Sequence, residues 1–413
     1  MYSIKQTLKQ YKFLKDFNRT LYRFRPKSKL RKPILSLLQH TNLFSVLERN
    51  TLLLNNTSYK YKDKEPLNIG SAFYLNDLPS EVKDKLSPKS TILPEAYIVE
   101  VPNASLRGKY ALGFNSNGQF IRETSFPYFI ENKHWHTEAS VSLTSLIPSL
   151  IPNKVQFDTV CSLINEWNNN YFHWITVTLT KLEGLKYYEQ LTGIRPKLLI
   201  HSNPTKWQLA SLQLMGYSKD DLITWTNSFA YVNKLLVPTF RKGYNTDTQV
   251  YRHSSPQASK WVANTLIKSV NNLDIPNTTF SERVYISRSK ATGRQISNES
   301  ELTHFLSQKD FKTYILEDMS FEQQVKLFSQ AKVLIAPHGA GLINMVFSSN
   351  LTLVELCGKT LPTYSFAEIA RGLGFTYSIL TNNPPSNETR TWDGDIQVDL
   401  SRLNQLLELV HVT

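Results

Sequence analysis

Short apolar runs alternate with amphipathic segments along the second half of the chain. The runs predict buried strands at Arg283–Ser287, Thr313–Leu316, Val333–Ala336 and Leu351–Leu356. Between them, apolar residues spaced at a helical period predict helices near Glu299–Ser307, over Phe321–Ala331 and from about Leu342. Strands that alternate with helices indicate an α/β fold with a doubly wound, mainly parallel sheet, whose ligand crevice lies at the carboxyl ends of the strands.

The first half of the chain begins with a different pattern. Between Tyr97 and Phe126, short alternating runs are separated by turn dipeptides, which predicts a small antiparallel β element ahead of the first α/β region. We interpret this element as a structural collar. Further on, the pattern predicts a helix over Tyr171–Tyr188, a strand at Lys197–Ile200, a helix between Pro204 and Gly216, and an interdomain linker at 239–256.

The length of 413 residues predicts two to three domains, and the 41% of hydrophobic residues are typical of a folded protein. We place a basic N-terminal extension at 1–60, a first domain with the β element and then an α/β region at 61–240, and a second α/β domain with a terminal helix at 241–413. The two cysteines show no metal-ligand spacing. No apolar run is long enough to span a membrane, and the N-terminal residues do not form the hydrophobic block of a signal peptide. We therefore expect a cytoplasmic protein.

The formal net charge of +13 is concentrated at the N-terminus. Residues 1–33 contain eleven Lys and Arg and one acid, Asp16, so they carry +10 of that charge. On a helix these cations lie beside an apolar stripe, which predicts a basic amphipathic helix. Such a helix either lies on an anionic membrane surface, at the inner face of the membrane, or docks on the protein body. No nucleic-acid-binding signature accompanies the charge, so we do not expect nucleic acid as a partner.

Three segments carry candidate chemistry. In Pro337–Gly341, two glycines let the backbone approach a ligand closely, and free N–H groups at the following helix start favour a diphosphate; a plain tight turn is the alternative. In Tyr285–Arg294, the cations follow a strand end, where arginine suits phosphate; a solvated surface loop is the alternative. In Asn170–Trp174, His173 could accept a proton near neutral pH, or it is an ordinary core histidine.

Taken together, these motifs resemble the family 61 glycosyltransferases over about residues 95–385. The resemblance rests on the order and spacing of Tyr171–Trp174, Tyr285–Arg288 with Gly293–Arg294 and Asn298–Glu299, and Pro337–Met345 with Val354–Cys357. It implies a GT-B-like fold of two Rossmann-like domains facing a cleft, and inverting transfer of a hexose or pentose from a UDP-sugar to a glycan or lipid-linked glycan. It implies no cofactor besides the donor, and no metal site. Thr176–Thr180 lacks the acid and proline that often follow the His-Trp pair in relatives, which leaves the acceptor contacts open.

The resemblance also suggests roles for single residues. Arg288 and Arg294 would stabilise the departing diphosphate together with the helix start after Gly341, and His173 would be the general base. Asn344 would contact the donor, and Glu355 would accept from the ribose hydroxyls. The remaining predicted nucleotide-sugar-binding residues are Lys290, Glu299, His338, Gly339 and Ala340. A second hypothesis is a non-catalytic nucleotide-sugar- or polysaccharide-binding protein with the same fold.

Overall fold

The structure is a computed structural model that describes residues 46–125, 155–245, 250–273, 279–359, 363–382 and 394–412. The predicted basic helix at residues 1–33 lies outside the described residues. Within them, no helix combines the length and the apolar character that crossing a bilayer requires.

Strands of the first half form one large mixed sheet and two small ones. The strands are β1 (Val46–Leu47), β2 (Thr57–Lys62), β3 (Glu65–Ile69), β4 (Lys89–Leu93), β5 (Ala96–Arg107), β6 (Leu112–Phe114), β7 (Phe120–Ile121), β8 (Gln156–Ser162), β9 (Lys197–His201), β10 (Leu222–Trp225), β11 (Phe229–Pro238), β12 (Lys242–Asn245) and β13 (Val250–Ser254). The nine-stranded sheet has the order β1-β7-β6-β5-β11-β8-β9-β10, with β2 on β5, while β3 pairs with β4 and β12 with β13.

The predicted antiparallel element is present as β5, β6 and β7, with Gly108 and Gly118 in the left-handed region at its turns. Its interpretation as a structural collar stays a prediction. β11 pairs antiparallel with β5 and parallel with β8, so the element is continuous with the α/β sheet. One of the turn dipeptides that were expected to separate strands, Pro102-Asn103, does not do so: β5 continues through it, with Asn103 at a φ of 50°.

Helices of the first half pack on this sheet. They are α1 (Arg49–Asn55), α2 (Ser80–Leu86), α3 (Tyr171–His173), α4 (Lys181–Thr192) and α5 (Lys206–Leu214). The predicted helix over Tyr171–Tyr188 is confirmed as α3 and α4 joined by a π-helical segment, Trp174–Thr178. Asn170 caps its start by accepting from the His173 N–H. The helix after Pro204 is confirmed as α5, which begins with a capping box formed by Thr205 and Gln208.

The second half contains the predicted parallel sheet. Its strands are β14 (Arg283–Ser287), β15 (Lys312–Ile315), β16 (Val333–Pro337), β17 (Thr352–Cys357) and β18 (Thr376–Thr381), in the order β15-β14-β16-β17-β18. The helices are α6 (Pro256–Asn271), α7 (Glu299–Ser307), α8 (Phe321–Gln330), α9 (Ser365–Gly372) and α10 (Leu400–Leu409). The helix expected from about Leu342 is a 3-10 helix, Ala340–Phe347. The strand order reverses between β14 and β16, and such a switch point is where doubly wound folds bind ligands.

The segment predicted as a linker is packed rather than loosely connecting. Its hairpin β12–β13 follows Arg241, whose buried guanidinium pairs with Glu65 at 2.8 Å and with Glu183 at 2.5 Å. The segment contains few apolar residues because buried ion pairs take their place. One apolar core also joins the halves, since Trp174 and Leu182 share it with Val262 and Phe328.

Candidate functional site

A cavity of about 590 Å³ lies at the carboxyl ends of β14 and β16, at the switch point of the parallel sheet. Both halves of the chain contribute to its wall. The first half supplies Tyr171, Lys206, Trp207 and Ala210, and the second half supplies residues that include Ile286, Arg288, Gln324, Phe328, Gly339 and Gly341. Parallel strands place the residues that follow them at one edge, so the predicted cationic loop and glycine turn meet here.

Arg288 lies directly against the glycine turn. Its Nε and Nη2 donate to the Gly293 carbonyl at 3.3 and 3.0 Å, which fixes the guanidinium over the loop. A Cβ at position 339 would lie 2.2 Å from Arg288 Nη1, so only glycine permits this approach. Burial, with a contribution from nearby Arg294, lowers the pKa of Arg288. Among the described carboxylates, none forms an ion pair with Arg288. Glu317 and Glu322 also line the cavity, and Glu317 acts on Arg288 at longer range, so the guanidinium is not held by a direct ion pair.

Two other predicted cations differ in their surroundings. Arg294 takes a left-handed φ of 56° and lies close enough to Arg288 and Cys357 to influence the pKa of both. Lys290 is not among the residues that line the cavity, and it pairs with exposed Asp318 at 2.5 Å. Because it does not line the cavity, Lys290 is the weaker candidate for phosphate binding.

His338 and Glu355 form a buried pair beneath the glycine turn. The Nδ1–H of His338 donates to Glu355 Oε1, and the Tyr377 hydroxyl donates to Glu355 Oε2 at 2.7 Å. Glu355 is fully buried, so its predicted contact with ribose hydroxyls has no support in this geometry. Glu355 instead orients His338, the residue before Gly339. Donor atoms of His338, Glu355 and Cys357 lie within 4.8 Å of one another, a spacing that a metal ion could bridge, so the absence of a metal stays a prediction.

Asn344 connects the two halves behind the cavity. Its Oδ1 accepts from the Tyr171 hydroxyl at 2.5 Å, and its Nδ2 donates to Gln324 Oε1 at 2.9 Å. Tyr171 and Gln324 line the cavity, whereas Asn344 is completely buried. Asn344 therefore positions cavity residues, and its predicted donor contact would act through them.

Glu299 lies apart from the cavity. Its carboxylate accepts from the Tyr285 hydroxyl at 2.8 Å. Tyr285 points to one face of β14 while its neighbour Ile286 lines the cavity on the other, because side chains alternate along a strand. Of the predicted turn residues, Gly339 and Gly341 line the cavity, while Ala340 between them is half-buried.

His173 lies at the end of α3, two residues beyond cavity-lining Tyr171. Its ring contacts the ring of Trp167, with centroids 5.6 Å apart, and that of Phe172 at 5.2 Å. Burial, and to a lesser extent Lys242, lowers the pKa of His173 to about 3. The imidazole is therefore neutral at physiological pH and can accept a hydrogen bond, but it is a weak base in the absence of substrate.

Sequence reasoning missed Trp207 and Gln324. Trp207 lies in the first turn of α5 and packs edge-to-face on Tyr171, with centroids 5.2 Å apart. Both residues belong to ordinary helical patterns, so only the position of these helices at the carboxyl edge of a sheet could have indicated them.

Comparison with known proteins agrees with this geometry. No curated protein is detectably similar to the chain. Residues 171–354 match the family model described as Glycosyltransferase 61. The match begins at Tyr171 and includes the cationic loop and the glycine turn, so it covers the segments that form the cavity wall. Over this region, the chain is similar to the family 61 glycosyltransferases.

Proposed function

We propose that the protein is an inverting glycosyltransferase that moves a hexose or pentose from a UDP-sugar to a hydroxyl of a glycan or lipid-linked glycan. The observation that carries the proposal is Arg288, a half-buried guanidinium that lines a cavity, has no described carboxylate partner and contacts Gly339. The phosphate oxygens of a nucleotide diphosphate would accept hydrogen bonds from this guanidinium. The two sheets, each with its own cavity-lining edge, are consistent with a GT-B-like arrangement.

In this mechanism the acceptor hydroxyl attacks the anomeric carbon as the bond to the diphosphate breaks. Negative charge grows on the leaving phosphate, and Arg288, with the backbone N–H groups after Gly341, would stabilise it. A preorganised donor in a site that excludes water contributes about 2.7–4 kcal/mol to transition-state stabilisation in comparable sites. Gln324 and Tyr171, fixed through Asn344, would shape the wall beside the sugar.

His173 is the proposed general base. Because its pKa is low, His173 accepts a proton only weakly near neutral pH. The negative charge of a bound diphosphate would raise that pKa toward neutral pH, where a general base is effective. His173→Ala is expected to lower the turnover number with UDP affinity preserved. Wild-type turnover in this variant would remove His173 from the role.

The same low pKa favours a second candidate, a non-catalytic nucleotide-sugar- or polysaccharide-binding protein. One experiment separates the two. A thermal-shift screen across UDP-, GDP- and CMP-sugars, including UDP-hexoses and UDP-pentoses, identifies the donor, and release of UDP from it is then measured. Binding with no release in the presence or absence of acceptor glycans would support the binding protein.

We further propose that residues 1–33 bring the enzyme to the cytoplasmic surface of a membrane. Their charge of +10 would attract anionic lipid headgroups. Co-sedimentation with phosphatidylglycerol vesicles should be lost when residues 1–33 are deleted, while UDP binding remains. Equal sedimentation of both proteins would contradict this.

A further inference from the structure

A second cavity, of about 450 Å³, lies in the first half of the chain. It opens at the carboxyl ends of the parallel strands β8, β9 and β10, just beyond Ser162, His201 and Trp225. Most of its wall is the run Asn165–Asn170, and Lys109 and Tyr110 from an earlier part of the chain also line it. The first cavity, at the carboxyl ends of β14 and β16, is called the donor cavity below. The second cavity occupies the corresponding position on the larger sheet.

Trp167 gives this cavity a flat apolar surface. Its side chain is 46% exposed. A tryptophan exposed to this degree lacks the stabilisation that burial of its apolar surface would provide. An indole combines a large rigid face with an N–H donor, which suits ligands that have both apolar and polar surfaces. A pyranose ring is such a ligand, because its C–H groups form an apolar face and its hydroxyls project around the rim.

Asn168 supplies a hydrogen-bond donor that is not used within the protein. It is only 7% exposed, and its Oδ1 accepts from the Asn165 backbone N–H at 2.7 Å, which fixes the orientation of the amide. No described residue accepts from its Nδ2. A buried donor without a partner is costly, so a ligand oxygen that accepts from it would bind favourably.

The remaining polar groups favour a neutral ligand. Lys109 and Glu166 both line the cavity, so their formal charges cancel. The asparagine amides at positions 165, 168, 169 and 170 offer both donors and acceptors, as hydroxyl groups do. No arginine lines this cavity to bind a phosphate group, in contrast to the donor cavity with Arg288.

The two cavities are neighbours along the chain. Asn170 lines the second cavity and caps α3, and the next residue, Tyr171, lines the donor cavity. His173 contacts Trp167 through their rings. A hydroxyl of a molecule resting on Trp167 would therefore approach the residue proposed as general base.

We propose that this second cavity binds a neutral sugar ring of the acceptor glycan, with one face of the ring on Trp167 and a hydroxyl oxygen accepting from Asn168 Nδ2. The inference rests on the proposed function for its role as the acceptor site. It assigns the acceptor contacts to the segment that precedes the Tyr171–Trp174 motif, rather than to the residues after it.

Saturation-transfer NMR with four methyl glycosides tests the proposal. The probes are the methyl glycosides of glucose, galactose, mannose and xylose, each titrated with full-length protein. At least one should bind the wild type, and Trp167→Ala should weaken its affinity by about tenfold or more, as is typical of a central tryptophan contact. Asn168→Asp keeps the oxygen that accepts from Asn165 but removes the donor, and should weaken binding several-fold. Trp261→Ala removes a partly buried tryptophan elsewhere and should bind the glycosides as the wild type does.

Three results would overturn the proposal: no glycoside binds the wild type, Trp167→Ala binds it with unchanged affinity, or UDP displaces it from the cavity. Because Trp167 is exposed, Trp167→Ala should also keep the wild-type melting temperature. UDP titration of the same samples tests the proposed function separately. Glycoside binding that depends on Trp167 in a protein that does not bind UDP would support the sugar site and refute the transferase.

Discussion

Replacing Gly339 by alanine tests whether the glycine turn exists to admit Arg288. The new Cβ would lie 2.2 Å from Nη1 and 3.0 Å from Cζ of Arg288, whereas ordinary contacts begin at 3.4 Å. The guanidinium must therefore move by about 1 Å or more. Gly339 has an extended φ of 175°, which alanine adopts without strain. The displaced atoms end a flexible side chain, so we expect the fold and its stability to be preserved.

The size of the effect follows from the interaction that is displaced. A hydrogen bond to a charged group contributes about 1.5–3 kcal/mol, so Arg288→Ala should weaken UDP binding roughly 10- to 150-fold. Gly339→Ala moves the same guanidinium away from its position over the turn. We therefore expect it to lose most of this energy, with at least about a tenfold weaker affinity for UDP.

Isothermal titration with UDP measures both variants and their combination. Because Gly339→Ala acts through Arg288, it should cause no further loss in the Arg288→Ala background, beyond the usual uncertainty of about 0.3–0.5 kcal/mol. Gly70→Ala is the control, since its Cβ would meet no heavy atom within 4 Å and Gly70 does not line the cavity. Wild-type affinity in Gly339→Ala, or full additivity with Arg288→Ala, would refute the reasoning.

Three further predictions concern stability and reactivity. Arg241→Ala leaves Glu183 buried without its guanidinium, and the free energy of unfolding in urea should fall by about 3 kcal/mol; an unchanged value would contradict the buried ion pair. Burial raises the pKa of the Cys161 thiol to about 11 and that of Cys357 well above its ordinary value, so neither should react with Ellman's reagent at pH 8 until the protein unfolds. A thiol that titrates in the native protein would contradict this. Because His173 has a pKa of about 3 when folded and an ordinary value of 6.5, the unfolded chain binds a proton first as pH falls. Stability should therefore be complete above pH 6.5 and decline from there toward pH 3, with a shallower decline in His173→Gln; equal slopes in urea titrations would count against it.

The strands and helices of the second half could be predicted because each is indicated by residues that are close together in the sequence. Strands buried on both faces appear as continuous apolar runs, and the residues after β14 and β16 had to meet because parallel strands end at one edge. This reasoning brought Arg288 and Gly339 together correctly. It did not separate Glu299 from them, because which face of β14 Tyr285 occupies depends on the packing of α7 and α10, which no motif records.

The first half was harder because its decisive contacts join distant residues. The Tyr97 N–H donates to Thr239 Oγ1 across 142 residues, and nothing in either local pattern indicates that pairing. Likewise, 239–256 appeared to be a linker because it contains few apolar residues, whereas Arg241 is buried by carboxylates from two distant segments. Ion pairs of this kind have no periodicity that a sequence pattern could reveal.

The central position of β11 determines when the first half can fold during synthesis. β5 and β8 leave the ribosome well before β11, yet β11 lies between them and pairs with both. Until Phe229–Pro238 has emerged, the nascent chain exposes two unpaired strand edges, which are sites of non-native pairing and aggregation. The first half should therefore remain a client of ribosome-associated chaperones until translation has passed Pro238, and fragments that end before Phe229 should be insoluble.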